Sequence, residues 1–322
     1  MKKGLMLLLS VVLIGSVLFA NGSSETKAVA YPSKTIQMIV PYGAGGGADI
    51  SVRLLTKYLE EELGQKFIVQ NVSGGSGTIG FNQLANAKAD GYTLGYFSST
   101  QSNDNLLFEG IKYDNTSFTP ISMYASDPHI VIASKSSGIT NMQELIAAAK
   151  KNPGEITFGL GGAWTSHDFL RMNLENEAGI EFKRMVFQGG AAAVTAVAGE
   201  NCTVAVPFVS EALAQIEAGN VVPLAISSKN RYQLADQIPT IMESGLDFTH
   251  TMWRAIVGPA GLSDDVVQTI DAAMGKVMSN PDFQKEALAA GIFADYMDAE
   301  AFSAFYEENH ALYKKLIEDA QL

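Results

Sequence analysis

The chain has 322 residues, of which 47% are hydrophobic and 17% charged, and its net charge is −12. An acidic, dispersed surface argues against nucleic acid and anionic lipid as partners. The only cysteine, Cys202, excludes an internal disulfide and a thiolate metal site, and reads as a small buried hydrophobe.

Taken in chain order, Lys2 and Lys3 precede an uncharged run from Gly4 to Ala20, after which the sequence turns polar. A basic start, an apolar stretch shorter than the ~20 residues of a membrane span and a polar exit predict a secretory signal over residues 1–20, cut near Ala20. Asn21 stands where a lipoprotein would carry cysteine. About 300 residues then remain, enough for two domains at roughly 100–200 residues each.

Short β-rich runs alternate with helical patterns from there on. Strands are predicted at 36–40, 67–72, 92–97, 130–133, 156–159, 184–187, 203–206 and 222–226. Ile50, Leu54, Leu55, Tyr58, Leu59 and Leu63 form one stripe at helical spacing. Thr140 with Gln143 suggests a capping box, and Gly64 and Gly179 sit where helices should end. From Ser263 the pattern is helical (263–279, 282–290 and 299–319), with Pro281 as a break. This alternation predicts an α/β protein with mostly parallel sheets flanked by helices, and a C-terminal third that completes an earlier domain.

Three strand-to-helix turns are glycine-rich. Gly43-Ala-Gly45-Gly-Gly-Ala48 and Gly75-Ser-Gly77-Thr-Ile-Gly80 resemble dinucleotide fingerprints. The ribose-binding acid expected about 20 residues later is missing from both, and no P-loop occurs. What survives is the physics: glycines admit a ligand close to the backbone, and a helix start offers free N–H groups to an anion. Plain turns are the bland alternative. The third turn, Gly159-Leu-Gly161-Gly162, continues into Ala163, Trp164, Thr165, Ser166 and His167, whose hydroxyls and amides suit a second carboxylate or a carbonyl. Ser166, His167 and Asp168 are adjacent, so on a helix they diverge by about 100° and form no relay with one another. His129, His250 and His310 are scattered along the chain without metal-ligand spacing. No metal, cofactor or catalytic constellation is expected.

The stretches YPSKTIQMIVPYGAGGGADISVRLL, NVSGGSGTIGFNQLANAKADGYTL, FTPISMYASDPHIVIAS and IPTIMESGL, in this order and spacing, resemble the periplasmic solute receptors of tripartite tricarboxylate transporters, the Bug or TctC-like family. The likeness runs from Tyr31 to Leu322. It implies a two-lobed type II periplasmic binding protein, with lobe one at 27–126 plus 250–322, lobe two at 127–249 and a ligand cleft between them. It further implies an exported, monomeric receptor that holds a small carboxylate and hands it to the permease subunits of a membrane transporter. Carried onto this sequence, the ligand-binding positions are Tyr42, Gly43, Ala44, Gly45 and Gly46 in the first loop, Gly75 and Ser76 in the second, and Ser99 and Thr100 after the third strand. In lobe two they are Gly162, Ala163, Trp164, Thr165, Ser166, His167, Gln188 and Phe208. Tyr42, Trp164 and Phe208 are the expected apolar walls, and Asp49 is expected to cap the first helix without touching ligand. Tyr42 and Ala44 depart from the family's usual Phe and second Pro, and the strand before Pro207 lacks its usual acids. With only Lys112, Arg171 and Arg254 near these loops in sequence, the carboxylate is expected to be held by dipoles rather than by an Arg clamp. The alternatives carried forward are a receptor feeding a sensor kinase and an exported hydrolase using Ser166 or His167.

Overall fold

The computed structural model describes residues 31–232 and 235–319. The segment read as an export signal, residues 1–20, lies outside them.

The described chain builds two sheets. The first contains β1 (Ile36–Val40), β2 (Phe67–Asn71), β3 (Thr93–Ser98), β4 (Phe118–Pro128), β10 (Thr251–Pro259) and β11 (Ala294–Met297), in the order β11-β4-β10-β3-β1-β2. The second contains β5 (Ile130–Ser134), β6 (Thr157–Leu160), β7 (Lys183–Val186), β8 (Val204–Ala205) and β9 (Val221–Ile226), in the order β7-β6-β8-β5-β9. Each sheet is mixed rather than mostly parallel. β1 pairs parallel with β2 and β3, and β6 with β7 and β8, but β10 runs antiparallel to β3 and β4, and β5 antiparallel to β8 and β9. The antiparallel strands are the ones on which the chain passes between the sheets. β4 ends at Pro128 and β5 starts at Ile130, while the return leaves through His250 into β10, whose Thr251 lies opposite Pro128. The two crossings are therefore neighbours.

β4, β10 and β11 escape a reading by pattern. β4 carries Pro120 and Pro128 and mixes polar with apolar residues, and β10 is buried on both faces, so neither alternates. The eight expected strands all form, with ends shifted by a residue or two.

Helix α1 (Gly47–Leu63) buries Val52, Leu55 and Leu59 completely against β1 and the C-terminal helices. Each such side chain contributes about 2 kcal/mol by removal from water. Ile50, placed on this stripe by its spacing, is instead 44% exposed, on the outer face of the helix with Arg53 and Lys57. α1 ends on Gly64 and α5 (Ser166–Ala178) on Gly179, both left-handed, as helix C-termini favour. The cap of α4 (Met142–Lys151) falls one residue later than the Thr140 pattern suggests: Asn141 accepts from the Glu144 amide at 2.9 Å, while the Glu144 carboxylate accepts from the Thr140 amide at 2.8 Å. Pro281 begins α9 (Pro281–Ala289) rather than merely breaking a helix, since its missing N–H goes unused at a first helical position. α8 (Asp264–Met278) and α9 pack on the first sheet in the same core as α1. α10 (Ala299–Asp319) lays Phe302 and Tyr306 on the sheet's other face, around Trp253. Farther along, its Tyr313 stacks on Phe169 of α5 with ring centroids 4.3 Å apart. Together with Leu316, Ile317 and Met172 this pair makes a small apolar cluster joining the two halves.

Candidate functional site

The loop between β1 and α1 is shaped by one carboxylate. Gly45 adopts φ +80°, a conformation that suits glycine, and its N–H donates to Asp49 Oδ2 at 2.8 Å. Asp49 is not the cap expected from sequence. Gly46 holds the N-cap position without a side-chain bond, and Asp49 is the third residue of the helix. Its carboxylate also accepts from Arg53 Nε at 2.9 Å and Asn71 Nδ2 at 2.9 Å, tying loop, helix and β2 together. Burial pushes the Asp49 pKa up, but the bonds from Arg53, Gly45 and Asn71 outweigh it and hold it below the usual carboxylate range.

Over this loop lies a cavity of about 580 Å³. Its walls are Tyr42, Gly43, Ala44, Gly46, Gly47 and Ala48, with Tyr96, Ser98, Thr100, Gln101, Met252 and Arg254. The first turn of α1 thus faces open space with its positive end. Tyr42 packs edge-on against Tyr96, 6.0 Å between centroids.

Of the three cations named from sequence, Arg254 is the one that lines the cavity. It sits on β10 directly opposite Ser98 on β3, a register that strand pairing alone creates. Its guanidinium pairs with Asp127, the penultimate residue of β4, and Nη1 donates to the Gly47 carbonyl at 3.2 Å. Burial alone would lower its pKa, but the Asp127 carboxylate, with Tyr96 and Tyr124, more than offsets that and keeps it cationic. A cationic side chain thus stands beside the first loop, where the sequence favours backbone dipoles over an Arg clamp. Only a long-range pairing brings residue 254 beside residues 42–48, so sequence proximity carried no signal.

The second-half residues form a separate wall gathered on His167. A Cβ on Gly161 would lie 2.7 Å from the Gly190 amide nitrogen and 3.0 Å from His167 Cε1, so the turns after β6 and β7 touch there. Phe208 stacks near both His129 and His167, at 4.5 and 4.8 Å. The imidazoles that looked scattered converge: His129 lies 5.0 Å from His167 and 5.4 Å from His250, ring to ring. His310 stands apart, facing the Ser102 carbonyl. His129 and His250 occupy the two chain crossings, and His167 the first turn of α5. Ser166 Oγ lies 3.1 Å from His129 Nε2, but His129 Nδ1 has no partner among the described residues, so no acid orients this pair. Burial, reinforced by His167, keeps His129 well below its ordinary pKa; burial lowers His250 to about 4.

The loop from Gly162 to Ser166 repeats the first loop's construction. Trp164 holds φ +59°, and its N–H donates to Asp168 Oδ2 at 3.1 Å. Asp168 is the third residue of α5 and pairs with Arg171 and with Arg184 of β7. The Arg184 guanidinium sits 5.2 Å from the Trp164 ring centre, and the indole packs with Leu106 and Leu107 on the cluster shared with α10.

Of the positions singled out in sequence, the cavity gathers Tyr42, Gly43, Ala44, Gly46 and Thr100. Gly45 shapes the loop without lining the cavity, Ser99 is fully buried beneath it, and Gly75 lies in the exposed turn before α2 (Thr78–Ala85). The Ser76 side chain lies outside the described set. Gly162, Ala163, Trp164, Thr165, Ser166, His167, Gln188 and Phe208 do not line it. Most of the buried polar atoms that lack a partner among the described residues nevertheless lie along this line between the halves: Ser99 Oγ, Asn103 Oδ1, Asp127 Oδ1, His129 Nδ1, His167 Nε2, His250 Nε2, Arg254 Nε and Tyr313 Oη. Buried polar groups are normally bonded, so such a concentration marks a place built for polar company.

Two mixed sheets joined by adjacent crossing strands, with a helix N-terminus and a guanidinium around an open cavity, define a solute-binding receptor of the periplasmic-binding-protein fold. The family model for the tripartite tricarboxylate transporter family receptor matches residues 51–322, and the chain belongs to that family. It is similar to Protein BugT of Bordetella pertussis, 28% identical over 265 residues that cover 81% of each chain. A TctC solute-binding protein from Polaromonas, solved without ligand, superposes with a TM-score of 0.83 at 28% identity, over 90% of this chain and 100% of that one. An R. palustris protein solved with adipate shares the fold, with a TM-score of 0.70 at 23% identity over 91% and 99% of the two chains. Receptors of this family are periplasmic, and no helix among the described residues is long and apolar enough to cross a membrane.

Proposed function

We propose that the cavity over the first loop captures a small carboxylate, which the wall around His167 then covers as the two halves close. The lobes that move are 27–126 with 250–322, and 127–249, turning about the paired crossings at Pro128–His129 and His250–Thr251. The observation that carries this reading is the cavity itself: the α1 N-terminus and the Arg254 guanidinium converge on one open space. A carboxylate there receives backbone N–H groups at the positive end of a helix dipole. It also meets a charged donor already fixed by Asp127, so little side-chain entropy is lost on binding. Ser98, Thr100 and Gln101 supply further polar contacts on the same side. Closure follows from differential affinity: a ligand touching both walls favours the closed arrangement by the contacts it gains there. Delivery to the permease subunits of a tripartite transporter, after export and cleavage near Ala20, completes the role.

A dicarboxylate is the first ligand class to try, since the R. palustris neighbour was solved with adipate. Thermal unfolding in the presence of mono-, di- and tricarboxylates tests the proposal. At a hundred times Kd, a ligand selective for the folded protein adds about 2.7 kcal/mol of stability, a shift of several degrees. No shift with any member of the panel would sink it.

A further inference from the structure

A second cavity, about 1100 Å³, lies away from the first loop and is walled from both halves. Ser126, Pro128 and Thr251 of the crossing strands form its floor, the segment Ser228–Tyr232 after β9 one side, and α9 with β11 the other. Its composition departs from the rest of the molecule. The chain carries 34 acidic and 22 basic residues, yet this cavity is lined by Lys229, Arg231 and Lys285 against a single acid, Asp295. Arg231 is engaged by Glu243 at 2.9 Å, whereas Lys229 and Lys285 are exposed and make no ion pair among the described residues. Beside these charges the wall is apolar: Leu288 is 46% exposed, and Met278, Ile292 and Phe293 continue its surface. Tyr232, nine-tenths buried, also lines the cavity, and its hydroxyl has no partner among the described residues.

We infer that this cavity is a second binding site, for a small amphipathic anion such as a medium-chain aliphatic carboxylate. The apolar chain lies against Met278, Leu288, Ile292 and Phe293. The head is drawn to Lys229 and Lys285, and Tyr232 offers a buried donor. An apolar pocket with a few placed polar groups is the usual form of a small-molecule site. Excess positive charge in a recess of an acidic protein selects for an anion. The site shares no lining residue with the cavity over the first loop, so the two ligands are independent in their contacts.

Calorimetric titration of decanoate into the purified protein tests this. Saturable binding is expected, with Kd raised at least tenfold in Lys229→Glu/Lys285→Glu, about 1.4 kcal/mol or more. Both lysines are exposed, so the double variant should fold, which circular dichroism checks. Leu288→Asp should weaken decanoate binding independently of the lysines. Absence of saturable binding, or unchanged affinity in both variants, would overturn the assignment.

Discussion

The β1–α1 and β6–α5 loops use one backbone device for two ends. In each, a residue in the left-handed region, Gly45 or Trp164, donates its N–H to the carboxylate four positions on, Asp49 or Asp168. Each carboxylate is the third residue of its helix and is tied to a side chain of the next strand, Asn71 in the first case and Arg184 in the second. The difference lies in what occupies the left-handed position. Glycine leaves the first loop bare, and its neighbours line an open cavity. Tryptophan spends the conformational strain on a side chain that covers Arg184 and packs on the Phe169–Tyr313 cluster. The first loop stays open to a cavity, whereas the second carries a side chain onto the cluster that joins the halves.

The comparison is broken most directly at its anchors. Asp168→Ala removes a fully buried carboxylate and leaves Arg184 without its ion partner, while Arg171 keeps only Glu175. A loss of about 3–5 kcal/mol in urea unfolding is expected, as for breaking a buried ion pair. Asp49→Ala leaves the Gly45 amide unpartnered, while the half-exposed Arg53 keeps Asn71 Oδ1 and Asn71 Nδ2 keeps the Tyr42 carbonyl, and should lose about 1–3 kcal/mol. Equal losses would mean that the two carboxylates are interchangeable after all.

Acidification separates the halves by sign. His250 in the folded protein titrates near 4, below the ~6.5 of an unfolded histidine. Below pH ~6.5 the unfolded chain therefore takes up a proton that the folded one refuses, and stability falls as pH drops, by up to about 1.4 kcal/mol per unit. His129 acts in the same direction. In the first half, burial raises Asp104 to about 6 despite the hydrogen bond from Tyr113. The folded state then keeps a proton between pH 6 and 4 that the unfolded state releases, so this residue gains stability as pH drops. Melting temperatures from pH 4 to 7 should fall less steeply on acidification in His250→Asn and more steeply in Asp104→Asn. The same slope in both variants and wild type would contradict these environments.

Smaller effects sharpen the contrast at the left-handed positions. Gly45→Ala should lose about 1–2 kcal/mol from the unfavourable φ, and Trp164→Gly a similar amount, since relief of strain offsets only part of the lost packing on the α10 cluster and the contact with Arg184. Chemical denaturation measures both losses. At Gly46 an added Cβ meets only the Gly43 carbonyl at 3.5 Å. Gly46→Val should therefore leave the melting profile nearly intact while abolishing carboxylate binding.

Much of this was legible in the sequence. The eight strands with alternating or β-branched runs, the Gly64 and Gly179 helix ends and the three glycine turns follow from local rules. The crossing strand β10 did not, because a strand buried on both faces has no periodicity. With it went the position of Arg254, whose place beside Gly47 is set by antiparallel pairing across more than 150 intervening residues. The histidine cluster was hidden for the same reason: His129, His167 and His250 meet only where the chain passes twice between the sheets. Asp49 was recognised as a structural carboxylate, but its role as a loop anchor rather than a cap depends on Asn71 arriving from β2.

The central claim, that loop amides and Arg254 hold a carboxylate in the first cavity, is tested most directly by calorimetry. The panel member that most stabilises the protein would be titrated into wild type and into Arg254→Gln/Asp127→Asn, which removes both charges of the buried pair together. The predicted result is saturable binding to wild type and at least a tenfold rise in Kd, about 1.4 kcal/mol, for a double variant that still unfolds cooperatively. Equal affinity in the two proteins would contradict it.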